Sequence, residues 1–139
     1  MWIRSHSIVT KDATKEQMWK LFTDVNNWHK WDTEIDYAKM DGPFEKGNHF
    51  ILKPKGGPKV KIELIETTPN RSFTDLTRFP LAKMTGEHRF EDTPEGLRIT
   101  TTMKVEGILA FLWVKIVAQN IVDGLPAEMP AQVRYASSL

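Results

Sequence analysis

Hydrophobic and polar positions change their period twice along the chain. Residues 2–10 are rich in Ile and Val and end at Thr10-Lys11-Asp12, the pattern of a strand. Met18, Leu21, Phe22 and Val25 then recur at i, i+3, i+4 and i+7, the spacing of one apolar helical face. Thr14-Lys15-Glu16-Gln17 fits a capping box, in which Thr14 accepts from the Gln17 amide and the Gln17 side chain reaches back. Asn26-Asn27 stops this helix, and Trp28–Trp31 forms one more short helical turn. Strand-like runs follow at 34–41, 48–54, 59–67, 72–79, 83–91 and 97–106. The gaps between them carry turn chemistry: Gly42-Pro43 with Gly47, Gly56-Gly57, Pro69-Asn70, Pro80, and Pro94-Glu95-Gly96. Gly56-Gly57 fits a two-residue hairpin turn that needs positive φ. Connections this short make neighbouring strands antiparallel. The expectation is a six-strand meander, with the first strand added at an edge.

The last thirty residues return to the helical period. Val114, Val117, Ala118, Ile121, Val122, Leu125, Met129 and Val133 form one stripe that keeps its phase across Pro126. That predicts one long helix, kinked or broken near Gly124–Pro126, because each proline removes an amide and crowds the preceding turn.

Alternation within the strands tells which side is covered. Leu97, Ile99, Thr101, Met103 and Val105 share a face; so do Met84, Gly86, His88 and Phe90. Val60, Ile62 and Leu64 do the same, as do Phe73, Asp75, Thr77 and Phe79, while Phe50 and Leu52 are read as facing the same way. The other face is polar, as in an antiparallel sheet packed on one side, and the C-terminal helix is the obvious cover. Asp75, Thr77, His88 and Thr101 point to the covered side among the aromatics. Inward polar groups must pair with one another or face a cavity, since an unpaired buried one costs about 1–3 kcal/mol.

Composition narrows the function classes. The 139 residues suffice for one domain spanning residues 1–139, and the absence of Cys excludes disulfides, thiolate metal sites and Cys nucleophiles. Nineteen basic against eighteen acidic side chains leave a net charge of +1, too little for a general nucleic-acid binder. No apolar run reaches membrane-span length and no leader is visible, which makes the chain cytoplasmic by default, without an integral membrane segment. His6, His29, His49 and His88 are scattered without metal-ligand spacing, so no metal is expected. No cofactor is expected either: no glycine-rich phosphate loop opens a helix. Lys53, Lys55, Lys59 and Lys61 surround one turn. That cluster reads as a solvated hairpin tip, the alternative being contact with an anionic membrane or phosphate-bearing partner. Asp32, Glu34, Asp36, Asp41 and Glu45 are close enough in sequence to neutralise part of it.

Candidate chemistry centres on His88 and Asp75. Imidazole changes charge near neutral pH, and a carboxylate one strand away can orient it for proton transfer. No nucleophile stands beside them, so ligand orientation is the simpler role. Trp28 and Trp31 fit best as anchors of the short helix, with ligand stacking the alternative for both. Trp113 lies off the helical stripe, either at a cavity mouth or on the surface. The apolar run 108–114, Ile-Leu-Ala-Phe-Leu-Trp-Val, is wider than one buried stripe needs and is a candidate homodimer face.

Trp19, Asp24, Asn27, Trp28 and Trp31, in the stretch Glu16–Asp32, match a helix Trp followed by a "D…NW..W" segment. Gly124-Leu125-Pro126 adds a familiar C-terminal helix. Together with the order of elements, these residues resemble the START and polyketide cyclase/dehydrase superfamily, SRPBCC. The resemblance covers essentially the whole chain. It implies an α+β helix-grip fold: a curved seven-stranded antiparallel sheet wrapped around a long C-terminal helix, with two short helices between strands 1 and 2. It also implies a cavity for a small hydrophobic molecule of the lipid, sterol, polyketide or quinone class. The expected lining from the strands is Phe50, Phe73, Asp75, Thr77, Phe79 and His88, then Phe90, Thr101 and Met103. Trp31, Val117 and Ile121 complete it. The alternative is a cyclase or dehydratase using His88 and Asp75 as its acid–base pair.

Overall fold

A computed structural model describes residues 1–139. The strands are β1 (Trp2–Thr10), β2 (Ile35–Lys39), β3 (His49–Pro54), β4 (Val60–Thr68), β5 (Ser72–Phe79), β6 (Ala82–Thr93) and β7 (Gly96–Glu106). Helix α1 (Lys15–Thr23) and a 3-10 helix (Val25–Lys30) lie between β1 and β2. The C-terminal helix comprises α2 (Ala110–Trp113), a π segment (Val114–Ala118) and α3 (Gln119–Ala136). All strand pairs are antiparallel, in the order β1-β7-β6-β5-β4-β3-β2. This is the helix-grip architecture.

Local chemistry accounts for these elements. The capping box is closed in both directions: the Gln17 amide donates to Thr14 Oγ1 at 3.1 Å, and the Thr14 amide donates to Gln17 Oε1 at 2.9 Å. Met18, Leu21, Phe22 and Val25 are all buried. Asn26 clasps the end of β2, donating to the Met40 carbonyl and accepting from its amide. Trp28 donates its indole N–H to the Phe22 carbonyl at 3.0 Å, which ties the 3-10 helix to α1.

Three features depart from the sequence pattern. The C-terminal helix runs unbroken through Pro126 and Pro130, and its irregularity is the π segment ten residues earlier. Pro126 is on the exposed side, where the carbonyl its ring displaces can turn to water. The turn between β3 and β4 spans five residues, because Pro54 and Pro58 have no N–H with which to extend the ladder. Only Gly56 of its two glycines takes positive φ, at 73°. Finally, a bulge between Leu64 and Glu66 puts Ile65 outward and flips the face of the following residues. Glu66 thereby reaches the outer face. Burial alone would raise its carboxyl, but hydroxyl donation from Thr68, Ser72 and Thr74, with Arg89 nearby, holds it below the usual carboxylate range.

The β5–β6 turn is Pro80-Leu81, and Leu81 has φ 58°. A leucine there carries about 1–2 kcal/mol of strain that glycine would not. The turn is stitched to the start of the C-terminal helix. Leu109 donates its amide to the Leu81 carbonyl at 3.0 Å, and Trp113 donates its indole N–H to the Pro80 carbonyl, also at 3.0 Å. Gly107 lies between them at φ 121°, where a Cβ would stand 2.6 Å from the Leu81 oxygen.

Candidate functional site

Strand register sets out the covered face row by row. One row runs His6, Thr101, His88, Phe73 across β1, β7, β6 and β5. The next runs Arg4, Met103, Gly86, Asp75, Leu64. The third runs Trp2, Val105, Met84, Thr77, Ile62, Phe50. Asp75 and His88 are therefore diagonal neighbours, and Gly86, directly opposite Asp75, presents no side chain between them. A Cβ on Gly86 would sit 3.0 Å from Asp75 Oδ1 and 3.3 Å from Met103 Sδ. The carboxylate occupies the space the glycine leaves.

His88 Nε2 stands 3.6 Å from Asp75 Oδ2, and Nδ1 stands 3.4 Å from Thr101 Oγ1. A carboxylate only accepts and a hydroxyl can donate, so the arrangement favours the tautomer with hydrogen on Nε2. The imidazole stacks on Phe73 with centroids 4.4 Å apart and planes 13° from parallel. Phe22 flanks it at 5.2 Å. Both ring nitrogens thus face protein partners, and the ring is held between aromatics.

This polar belt divides two apolar regions. On one side the α1 end of the interior is filled: Phe22, Trp28, Trp31, Phe50, Phe73 and Phe90 are buried and contact one another in edge-to-face, tilted and stacked arrangements. On the other side only Met84, Met103, Val105 and Ala118 are buried. Around them Phe79, Trp113, Val117 and Ile121 are only partly buried. Phe79 and Trp113 stack at 4.5 Å. Although they point under the helix, the Asp75 and His88 side chains retain 17% and 16% of their exposure.

The twelve residues singled out from the sequence therefore separate into three groups. Phe50, Phe73, Phe90 and Trp31 belong to the packed aromatic core. Asp75, Thr77, His88 and Thr101 form the polar belt, and Met103 is buried beyond it, where Phe79, Val117 and Ile121 border the loosely covered side. Two open recesses adjoin that side. One of about 470 Å³ is lined by Arg78, Phe79, Leu81, Ala82, Lys83, Glu106 and Gly107. Another of about 230 Å³ runs along Lys59, Val60, Lys61, Glu63, Thr77, Arg78 and Phe79. Neither is bounded by His88 or Asp75.

The structure adds residues that alternation understated. His6 joins Thr101 and His88 in one row, a position legible from residues 2–10 had their face been followed. A second group lies between α3 and the start of β2. Burial, then the Asp32 carboxylate, then Glu34 push the Glu128 carboxyl up to about 7, against a hydrogen bond from Gln132. Asp32 is itself raised, first by burial. Gln132 is buried with its Oε1 unpartnered. No spacing rule joins residues 32 and 128. No three His, Asp or Glu side chains converge as metal ligands would.

The sequence profile of the polyketide cyclase/dehydrase and lipid transport family matches residues 2–129. The chain belongs to this family. Among curated proteins, none matches the sequence. Solved structures share the fold at low identity. A hypothetical protein of Helicobacter pylori superposes with a TM-score of 0.76 at 16% identity, over 97% of this chain and 88% of that one. A START superfamily protein of Mycobacterium smegmatis gives 0.72 at 15% identity, over 96% and 97%. The di-domain ARO/CYC StfQ from the steffimycin biosynthetic pathway gives 0.71 at 13% identity, over 98% of this chain and 49% of that one. In this family member, no helix is long and apolar enough to cross a membrane.

Proposed function

We propose that this protein binds a small hydrophobic molecule of the lipid, sterol, polyketide or quinone class between the sheet and the first half of the C-terminal helix. The observation that carries this reading is the state of the covered face beyond the polar belt. There the inward Asp75 and His88 keep part of their exposure, and Phe79, Trp113, Val117 and Ile121 around them are incompletely buried. An apolar surface with a few convergent polar groups is the usual form of a small-molecule site. Thr101, His88 and Asp75 orient the polar end of the ligand, and the side chains beyond Met103 supply apolar contact area.

A panel of fatty acids, sterols, quinones and aromatic polyketides tests the reading by thermal denaturation. A ligand at a hundredfold excess over its Kd contributes about 2.7 kcal/mol, which raises Tm by roughly 5–10 °C in a chain of this size. No shift with any class, together with no small molecule on native mass spectrometry of protein from its own host, would sink it. His88→Ala and Asp75→Asn then separate binding from catalysis. A binder loses roughly tenfold in affinity, about 1.4 kcal/mol. The cyclase or dehydratase reading, which the Asp–His proximity favours, instead requires turnover of a polyketide substrate to fall by about 100-fold or more with affinity largely kept.

A further inference from the structure

The strand-turn end of the molecule displays large apolar side chains that no packing requires. Leu81, Ile108 and Phe111 are 62%, 80% and 73% exposed, and Ile116 follows on the helix. Leu81 and Ile108 are neighbours through the Leu109–Leu81 backbone hydrogen bond, and Phe111 follows in the first turn of α2. The platform beneath them is rigid: the Trp113–Pro80 hydrogen bond, the Phe79–Trp113 stack and the close fit of Gly107 lock turn and helix together. Leu81 is the most informative of the set. Its backbone conformation suits glycine and its side chain reaches into solvent, so neither the fold nor the core explains a leucine there.

The charge around this crown is one-sided. Lys59, Lys61, Arg78, Lys83, Lys104 and Lys115 lie at this end or border its recesses, against Glu63 and Glu106. That is six cations to two carboxylates, or +4, within a chain of net charge +1. The two carboxylates are engaged by Arg78, Lys83 and Lys104. Lys59, Lys61 and Lys115 make no ion pair with the protein.

We propose that this end of the protein docks on the surface of an anionic lipid bilayer, with Leu81, Ile108 and Phe111 entering the acyl boundary and the surrounding lysines and arginines meeting the headgroups. Protruding apolar side chains inside a cationic rim are suited to an interface of this kind, where shallow insertion and attraction to anionic lipid add together. A second copy of the chain fits less well. A two-fold contact through the crown would set the same cationic rim against itself. An acidic protein surface would match the charge but leaves the protruding side chains without a recess to fill. The proposal stands on the surface alone and does not depend on the interior ligand site.

Co-flotation with phosphatidylcholine vesicles, with and without about 30% phosphatidylserine, tests it. The expected result is at least tenfold stronger binding to the anionic vesicles, lost in about 0.5 M salt. Leu81→Gly and Phe111→Ser should each weaken vesicle binding by about tenfold. Leu81→Gly also relieves the strained turn, so its Tm should be equal or higher, and loss of binding cannot then be ascribed to unfolding. Equal binding to both vesicle types would overturn the proposal, as would unaltered binding by both variants. So would a dimer in solution that either variant dissociates, or binding seen only to an acidic protein partner.

Discussion

Glu128→Gln should stabilise the protein at pH 8 by on the order of 3 kcal/mol and leave its stability at pH 4 nearly unchanged. In the folded chain burial first, and then Asp32, push this carboxyl up to about 7, whereas its ordinary value is 4.5. Between those two values the unfolded chain releases a proton that the folded chain keeps. The contribution of this group is therefore complete below about pH 4.5 and disappears as pH rises through about 7. Above that, the folded protein carries a partly buried carboxylate repelled by Asp32 and Glu34. The amide has the same shape and no charge, so it removes the slope. Urea denaturation at pH 4, 6 and 8 reads the effect directly; parallel pH profiles for the two proteins would show that the Glu128 charge is fully hydrated. Asp32→Asn should act in the same direction, since Asp32 is also raised and is the leading charge on Glu128. Glu66 works oppositely: held low by its three hydroxyl donors, it stabilises above the ordinary carboxylate value, and that contribution fades as pH falls.

The other large effect belongs to Phe73. Replacement by alanine should cost about 3–5 kcal/mol, the range for emptying an aromatic site in a closed core. Phe73 is completely buried and lies against Phe22 at 5.1 Å, Phe44 at 5.2 Å, Trp19 at 6.3 Å and the His88 ring at 4.4 Å. Its loss opens the packed half of the interior and removes the floor on which His88 rests. Phe73→Leu should recover part of the loss by refilling volume without the stack. Phe79→Ala provides the contrast. That ring is only partly buried, so its removal should cost clearly less. Comparable costs for Phe73 and Phe79, measured by urea denaturation, would mean that the two halves of the interior are packed alike and that the loosely covered region does not exist.

Several elements were legible before any coordinates. The capping box at Thr14–Gln17, the buried stripe of α1 and the inward set Asp75, Thr77, His88 and Thr101 follow from hydrogen-bonding capacity and from periods of 3.6 and 2. The pairing of Asp75 with His88 was readable because register in a short-turned meander is nearly forced. The Leu64–Glu66 bulge was not, since one inserted residue leaves every local propensity unchanged while reversing the faces beyond it. The break expected near Pro126 is absent for a related reason. Proline's cost depends on whether the displaced carbonyl meets water or protein, and that is a matter of orientation.

Sequence by itself determined the order of elements, the covered face of the sheet and the family, because these rest on patterns between residues close along the chain or locked by ladder pairing. Tertiary structure alone decided which half of the interior is filled by aromatics and which is loosely covered. It alone brought Glu128 to Asp32, and placed a strained Leu81 beside Ile108 and Phe111. Each of those depends on how side chains from distant segments divide the same space, which is set by packing volume and dielectric surroundings rather than by period.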